Sequence, residues 1–129
     1  MRLRTFLRSK IHRATVTEAN VDYMGSLTLD EALMEAAGLA EYEHVAIADL
    51  DNGERLETYI IRGRRGSGIV GINGAAALRI AAGHKVIIFN YIQLTDDEIA
   101  GFEPKIVFVD ESNRLTDVAK LELAQTRLA

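Results

Sequence analysis

HVAIADLDNGERLETYII, residues 44 to 61, reads as a β-hairpin. Val45 and Ile47 alternate with Ala46 and Ala48, Asp51-Asn52-Gly53 supplies turn chemistry, and Leu56 to Ile61 returns as the second arm. With a period of two, Arg55, Glu57, Tyr59 and Ile61 share one face, while Leu56, Thr58 and Ile60 share the other. Thr58 and Tyr59 therefore point apart. Two strands closed by a tight turn set the expected class as mainly β.

The pattern continues on both sides. A strand or two precede Asn20, and Leu27 to Leu29 read as extended. Asp30 is placed to cap a two-turn helix through Ala37, with Gly38 where a positive φ is needed. After a turn region at residues 62 to 68, Ile69 to Ile72 is a strand and Asn73-Gly74 opens a short Ala-rich turn with free backbone N–H groups. Lys85 to Leu94 is the longest strand expected. Thr95 to Gly101 reads as one helical turn, Pro104 interrupts, and Lys105 to Val109 closes the pattern, followed by a polar tail. Many short strands with short helices imply a small barrel or a sandwich, and periodicity does not choose between them.

Composition narrows the function classes. The 129 residues, 48% of them hydrophobic, suit a single domain small enough that oligomerisation would help bury apolar surface. No apolar stretch approaches the ~20 residues of a membrane span. Arg2, Arg4 and Arg8 are not followed by the apolar region of a secretory signal, so the expectation is a cytoplasmic protein. The absence of cysteine removes disulfides, thiolate nucleophiles and cysteine metal sites. His12, His44 and His84 lie far apart in sequence without ligand spacing, and no metal is expected. The basic cluster Arg2, Arg4, Arg8, Lys10 and Arg13 suggests a nucleic-acid arm, but the net charge of -4 argues against it. Leu3, Phe6, Leu7 and Ile11 interleave with these charges as on a solvated strand face.

Residues 23 to 26 read YMGS. Gly-Ser is a common turn pair, and alone it is an inert loop. Under strain it has a further chemistry: the serine hydroxyl attacks the preceding carbonyl, the ester eliminates to a dehydroalanine, and hydrolysis leaves a pyruvoyl group. The company of Gly25-Ser26 favours that reading. KIHR at 10 to 13, YMGS at 23 to 26, RLETY at 55 to 59 and NGAAA at 73 to 77 follow one another in this order. The set resembles the pyruvoyl-dependent aspartate 1-decarboxylases, which make β-alanine for pantothenate, from about residue 2 to about residue 110. Beyond about Asn113 the match fades, and the segment from Arg114 to Arg127 is left open between a packed helix and disorder.

That resemblance implies a six-stranded double-psi β-barrel, assembled as a homotetramer with active sites between subunits. It implies self-cleavage into residues 1 to 25 and 26 to 129, with L-aspartate as substrate and a pyruvoyl group from Ser26 as the built-in cofactor, forming a Schiff base with the substrate amine. Gly25 and Ser26 would be the cleavage pair. Arg55 would grip the surviving carboxylate through its planar fork, with Lys10 as a second positive charge. Tyr59 would return a proton to Cα after CO₂ leaves. Thr58 would serve processing and the substrate pocket, its hydroxyl stabilising the oxyanion formed at Gly25. Asn73, Gly74, Ala75 and Ala76 would form the carboxylate-binding turn, with Tyr23 and His12 in support near the cleavage site. A maturation partner stays open. From the residues alone, Arg55 reads first as a turn-flanking surface arginine, and Tyr59 reads equally as a barrel-wall aromatic. Two other readings stand beside this one: a non-cleaving β-barrel binding or regulatory module, and a pyruvoyl enzyme acting on another amino acid such as glutamate.

Overall fold

The computed structural model describes residues 1–121. Strand β1 runs over Leu3–Thr15 and β2 over Glu18–Asn20, followed by β3 (Ser26–Asp30), helix α1 (Glu31–Ala37), β4 (His44–Asp49) and β5 (Arg55–Gly63). Then come β6 (Val70–Asn73), a 3₁₀ turn (Gly74–Leu78), β7 (Lys85–Thr95), helix α2 (Asp96–Ile99), β8 (Lys105–Val109) and β9 (Leu115–Ala119). The class is mainly β with short helices, as expected. Among the described residues no helix is long and apolar enough to cross a membrane.

β4 and β5 form the antiparallel hairpin read from 44 to 61, with Tyr59 opposite His44 and Arg55 opposite Ala48. Its turn closes through Asp49, whose carbonyl accepts from Gly53 and whose carboxylate accepts from the Asp51 N–H at 2.7 Å. Gly53 has φ +77°, the conformation for which glycine was selected there. α1 also has the expected ends. The Asp30 side chain accepts from the Ala32 N–H, and Gly38 terminates the helix at φ 71°.

Two expectations need correction. The longest strand is β1, with 13 residues, rather than the 11-residue β7. Register shifts between Leu7 and Ser9 and between Ile11 and Ala14 break its alternation, and Arg13 takes φ 62° at the second, so no simple period of two exposes its length in the sequence. Val109 also does not end the ordered pattern, because Leu115–Ala119 pairs antiparallel with β8 as a ninth strand. The rest of the tail, residues 122–129, lies outside the described residues.

Among the described residues, nine strands follow the hydrogen-bonded order β2-β6-β3-β5-β4-β7-β1-β8-β9. The pairs β1·β8, β2·β6 and β3·β5 are parallel, and the other neighbours are antiparallel. The core gathers inward residues from across this order, including Ile11, Leu27, Leu29, Val45, Ile47, Ile60, Ile72 and Ile88, with Leu33 and Met34 of α1. The basic residues of β1 lie on a partly solvated face, as the sequence suggests: Arg8 pairs with Glu43 at 2.8 Å and Arg4 with Asp96 at 3.0 Å. For the site, the decisive placement is β3 between β5 and β6. It sets Ser26 opposite Asn73 and one step before the Leu27↔Ile60 pair of β5.

Candidate active site

β3 begins at Ser26, and its first residue is strained. Ser26 has φ 118°, a region that L-residues rarely adopt, at a cost of about 1–3 kcal/mol. Its neighbours differ sharply in environment: Ser26 is only 5% exposed, Gly25 is exposed, and Met24 stands in solvent. The Gly25-Ser26 peptide thus connects a solvated turn to a buried strand start.

The turn after β6 closes on this peptide. Gly74 has φ +69°, and a Cβ on it would lie 2.8 Å from Gly25 Cα and 3.1 Å from Gly25 N. Both backbone conformation and space therefore require glycine at position 74. The Asn73 side chain turns back toward β3, donating from Nδ2 to Thr28 Oγ1 at 2.8 Å, with Ser26 Oγ 3.5 Å from the same nitrogen.

A cavity of about 470 Å³ opens at this point, lined by Gly25, Ser26, Leu56, Glu57, Thr58, Tyr59, Asn73, Ala75, Ala76, Leu78 and Arg79. It brings together most of the residues selected from the sequence. Ser26 comes from the start of β3, Thr58 and Tyr59 from β5, and Asn73, Ala75 and Ala76 from the β6 turn. Tyr59 is 42% exposed at the rim, its ring 6.5 Å from that of Tyr42. Chemically the cavity offers a hydroxyl against an adjacent carbonyl, a carboxamide donor, a second hydroxyl and a phenol, among small side chains that leave room for a ligand.

Other selected residues lie elsewhere in the chain. Lys10 and Arg55 line a separate depression of about 220 Å³ with Leu7, Ala48, Ile87, Phe89 and Tyr91, where the Arg55 guanidinium sits 5.3 Å from the Phe89 ring centre. Arg55 precedes Tyr59 by four strand residues, about 13 Å along β5. His12 lines a third recess and packs edge-on against Phe108 at 5.8 Å. The Tyr23 side chain is exposed, while its carbonyl lies 3.4 Å from where a Gly74 Cβ would be.

The fold gathers groups that sequence reasoning did not single out. Leu56, Glu57, Leu78 and Arg79 line the Ser26 cavity. A period of two from Ser26 could have indicated Thr28, since it puts both on one face of β3. His84, whose partners were invisible in sequence, meets Asp49 at 2.6 Å, and one ligand atom each from Asp49, Asp51 and His84 lie within 4.8 Å of one another. These carboxylates are already engaged, by the Asp51 N–H, the Lys85 N–H and the His84 ring, so internal hydrogen bonds account for the cluster.

Comparison with known proteins finds relatives that match nearly the whole chain. A family model described as aspartate decarboxylase matches residues 1–116. The aspartate 1-decarboxylase of Caldicellulosiruptor saccharolyticus is 55% identical over 116 residues, covering 90% of this chain and 91% of the relative. That of Neisseria meningitidis serogroup C is 53% identical over 125 residues, covering 97% and 98%. That of Clostridium botulinum strain Loch Maree is 51% identical over 118 residues, covering 92% and 93%.

Proposed function

The chain belongs to the aspartate decarboxylase family, and from that membership we propose that it cleaves itself after Gly25 and then converts L-aspartate to β-alanine and CO₂ for pantothenate and coenzyme A synthesis, in the cytoplasm. The observation that carries the self-processing part is the strained, buried Ser26 joined to an exposed Gly25 at the mouth of a cavity. The cleavage balances with water as the one external reactant. Ser26 Oγ attacks the Gly25 carbonyl carbon, the amide C–N bond breaks, and the Ser26 nitrogen takes the proton. The resulting ester then loses the Ser26 Cα proton as Cβ–Oγ breaks, so Oγ departs as part of the new Gly25 carboxylate. Water replaces the nitrogen at the new end, and ammonia leaves.

The residues present fit a pyruvoyl group at position 26: the site is buried, Ala75 and Ala76 keep it roomy, and Asn73 supplies a nearby N–H donor. When formed, that group supplies an electrophilic carbonyl for the substrate amine and a sink for the electrons released with CO₂. The remaining roles fall to side chains. Thr58, pointing inward from β5, is assigned to the oxyanion that develops at Gly25. Tyr59, a phenol at the rim, is assigned to proton return at Cα. Asn73 and the N–H groups of Gly74, Ala75 and Ala76 position the ligand.

Arg55 and Lys10 are assigned to the substrate carboxylate, although within one protomer they line a different depression from Ser26. This separation supports an assembly, proposed as a homotetramer of double-psi barrels, in which the cationic depression of one copy faces the Ser26 cavity of another. His12 and Tyr23 support the site in the same proposal.

Intact mass tests the reading. The wild-type protein is expected as two chains, residues 1–25 and 26–129, the larger lighter by one ammonia than a serine-headed chain. Ser26→Ala is expected to remain a single inactive chain. Decarboxylation by that variant would sink the mechanism, and a permanently uncut wild-type chain would favour a binding module instead.

A further inference from the structure

Asn73 has one amide nitrogen with two hydrogens, and two hydroxyl oxygens of β3 lie near it. The geometry of that fork makes the two hydroxyls unequal. Thr28 Oγ1 is 2.8 Å from Asn73 Nδ2, a normal hydrogen bond, whereas Ser26 Oγ is at 3.5 Å, the outer limit of one. The short contact fixes the carboxamide, and the long one is the contact that chemistry at Ser26 would use.

The backbone explains why this arrangement forms. In the antiparallel β3·β6 register, Ser26 is opposite Asn73 and Thr28 opposite Gly71. Ser26 and Thr28 therefore lie on one face, while Leu27 and Leu29 fill the core from the other. The Asn73 side chain crosses diagonally to Thr28. Space for the threonine comes from its cross-strand partner: a Cβ on Gly71 would approach the Thr28 Cβ to 3.4 Å and the Glu18 side chain to 3.3 Å. Thr28 is absent from the lining of the Ser26 cavity, so its hydroxyl acts through Asn73.

We infer that Thr28 is a positioning residue for self-cleavage: its hydroxyl holds the Asn73 carboxamide so that the second N–H addresses Ser26 Oγ. This rests on the self-processing reading above. A donor at that oxygen serves the sequence of bonds broken and made. It turns the hydroxyl hydrogen of Ser26 away from Asn73, leaving the oxygen oriented by a fixed neighbour, and it stabilises the same oxygen when it departs in the Gly25 carboxylate. Without Thr28 Oγ1, the carboxamide is free to rotate and the donor is no longer held in place.

Time courses of cleavage, followed by intact mass on freshly purified full-length chains, test the inference. Thr28→Val removes the acceptor with little change of shape and is expected to slow cleavage roughly five- to tenfold. Thr28→Ser keeps the hydroxyl and is expected to cleave within about twofold of wild type. Thr28→Val added to Asn73→Ala is expected to have no further effect, because the two act as a unit. Equal slowing of the Ser and Val variants would assign the effect to the lost methyl and overturn the inference. So would wild-type cleavage by Thr28→Val, or slowing that adds fully to that of Asn73→Ala. An uncut wild-type chain would instead overturn the self-processing reading, and this inference with it.

Discussion

The two ends of β3, Ser26 and Asp30, are four residues apart and opposite in character. At Ser26 the backbone is held at φ 118° and the side-chain oxygen has only a 3.5 Å contact to Asn73. At Asp30 the carboxylate accepts from three backbone N–H groups, those of Ala32 at 2.8 Å, Gly66 at 3.0 Å and Gly68 at 2.8 Å. Strain persists only where the surroundings over-determine it. The strand teaches how that is done in a small protein: its far end is anchored by charge-assisted bonds and its middle by Leu27 and Leu29 in the core, so the near end cannot relax by sliding.

The strongest way to break the contrast is to release the anchored end. In the uncleaved Ser26→Ala background, Asp30→Ala is expected to lower unfolding stability by about 3 kcal/mol, since it strands three buried or half-buried N–H groups. Urea unfolding checks this, and with Ser26 restored, cleavage is expected to slow because β3 can yield. The pH dependence has a definite sign. Burial raises the Asp30 pKa, but the N–H groups of Gly68, Ala32 and Gly66 and the charge of Arg114 together bring it below its ordinary 3.8. A carboxylate depressed in the folded state contributes stability above about 3.8 that is lost as pH falls through the folded value. Asp30→Asn should lack this acid limb.

A smaller perturbation acts on the strained end. Gly74→Ala places a methyl against the Gly25 backbone at a position with φ +69°, and is expected to cost about 2 kcal/mol. It should also slow cleavage by displacing Gly25 from Ser26 Oγ. Thermal melting and intact mass read the two effects separately, and unimpaired cleavage would show that the close approach of Gly74 to Gly25 plays no part in the reaction.

The contrast also shows what sequence can carry. Asp30 and Gly38 were legible because capping is local: the donor, the acceptor and the glycine all lie within nine residues. The β4–β5 hairpin was legible for the same reason. β9 was not, because most of Leu115–Ala119 is exposed, so no alternation toward the core marks it. At the site, the placing of Ser26 and Asn73, 47 positions apart, in one site came from motif resemblance, while their direct pairing and the bond from Asn73 to Thr28 came only from the β3·β6 register. The division of Ser26 and Arg55 between two depressions was equally hidden, since period two says which face a residue takes but not which cavity that face meets.

The mildest test sharpens the role of carboxylate anchors by reversing the sign of their pH dependence. Asp49 bridges the hairpin turn to the segment before β7, accepting from Asp51 N–H and meeting His84 Nδ1 at 2.6 Å. Here the partner titrates, where the N–H partners of Asp30 do not. The hydrogen bond to Asp49 raises the His84 pKa above 6.5, with burial opposing and the charges of Asp49 and Asp51 adding to the rise. A histidine raised in the folded state contributes stability that is complete below about 6.5 and is lost as pH climbs through the folded value. The melting temperature should therefore decline on going from mildly acidic to alkaline buffer, and His84→Gln should flatten that decline while leaving the acid limb from Asp30 in place. A variant with an unchanged alkaline slope would mean that the turn is held by the Lys85 N–H to Asp51 bond and not by the imidazole.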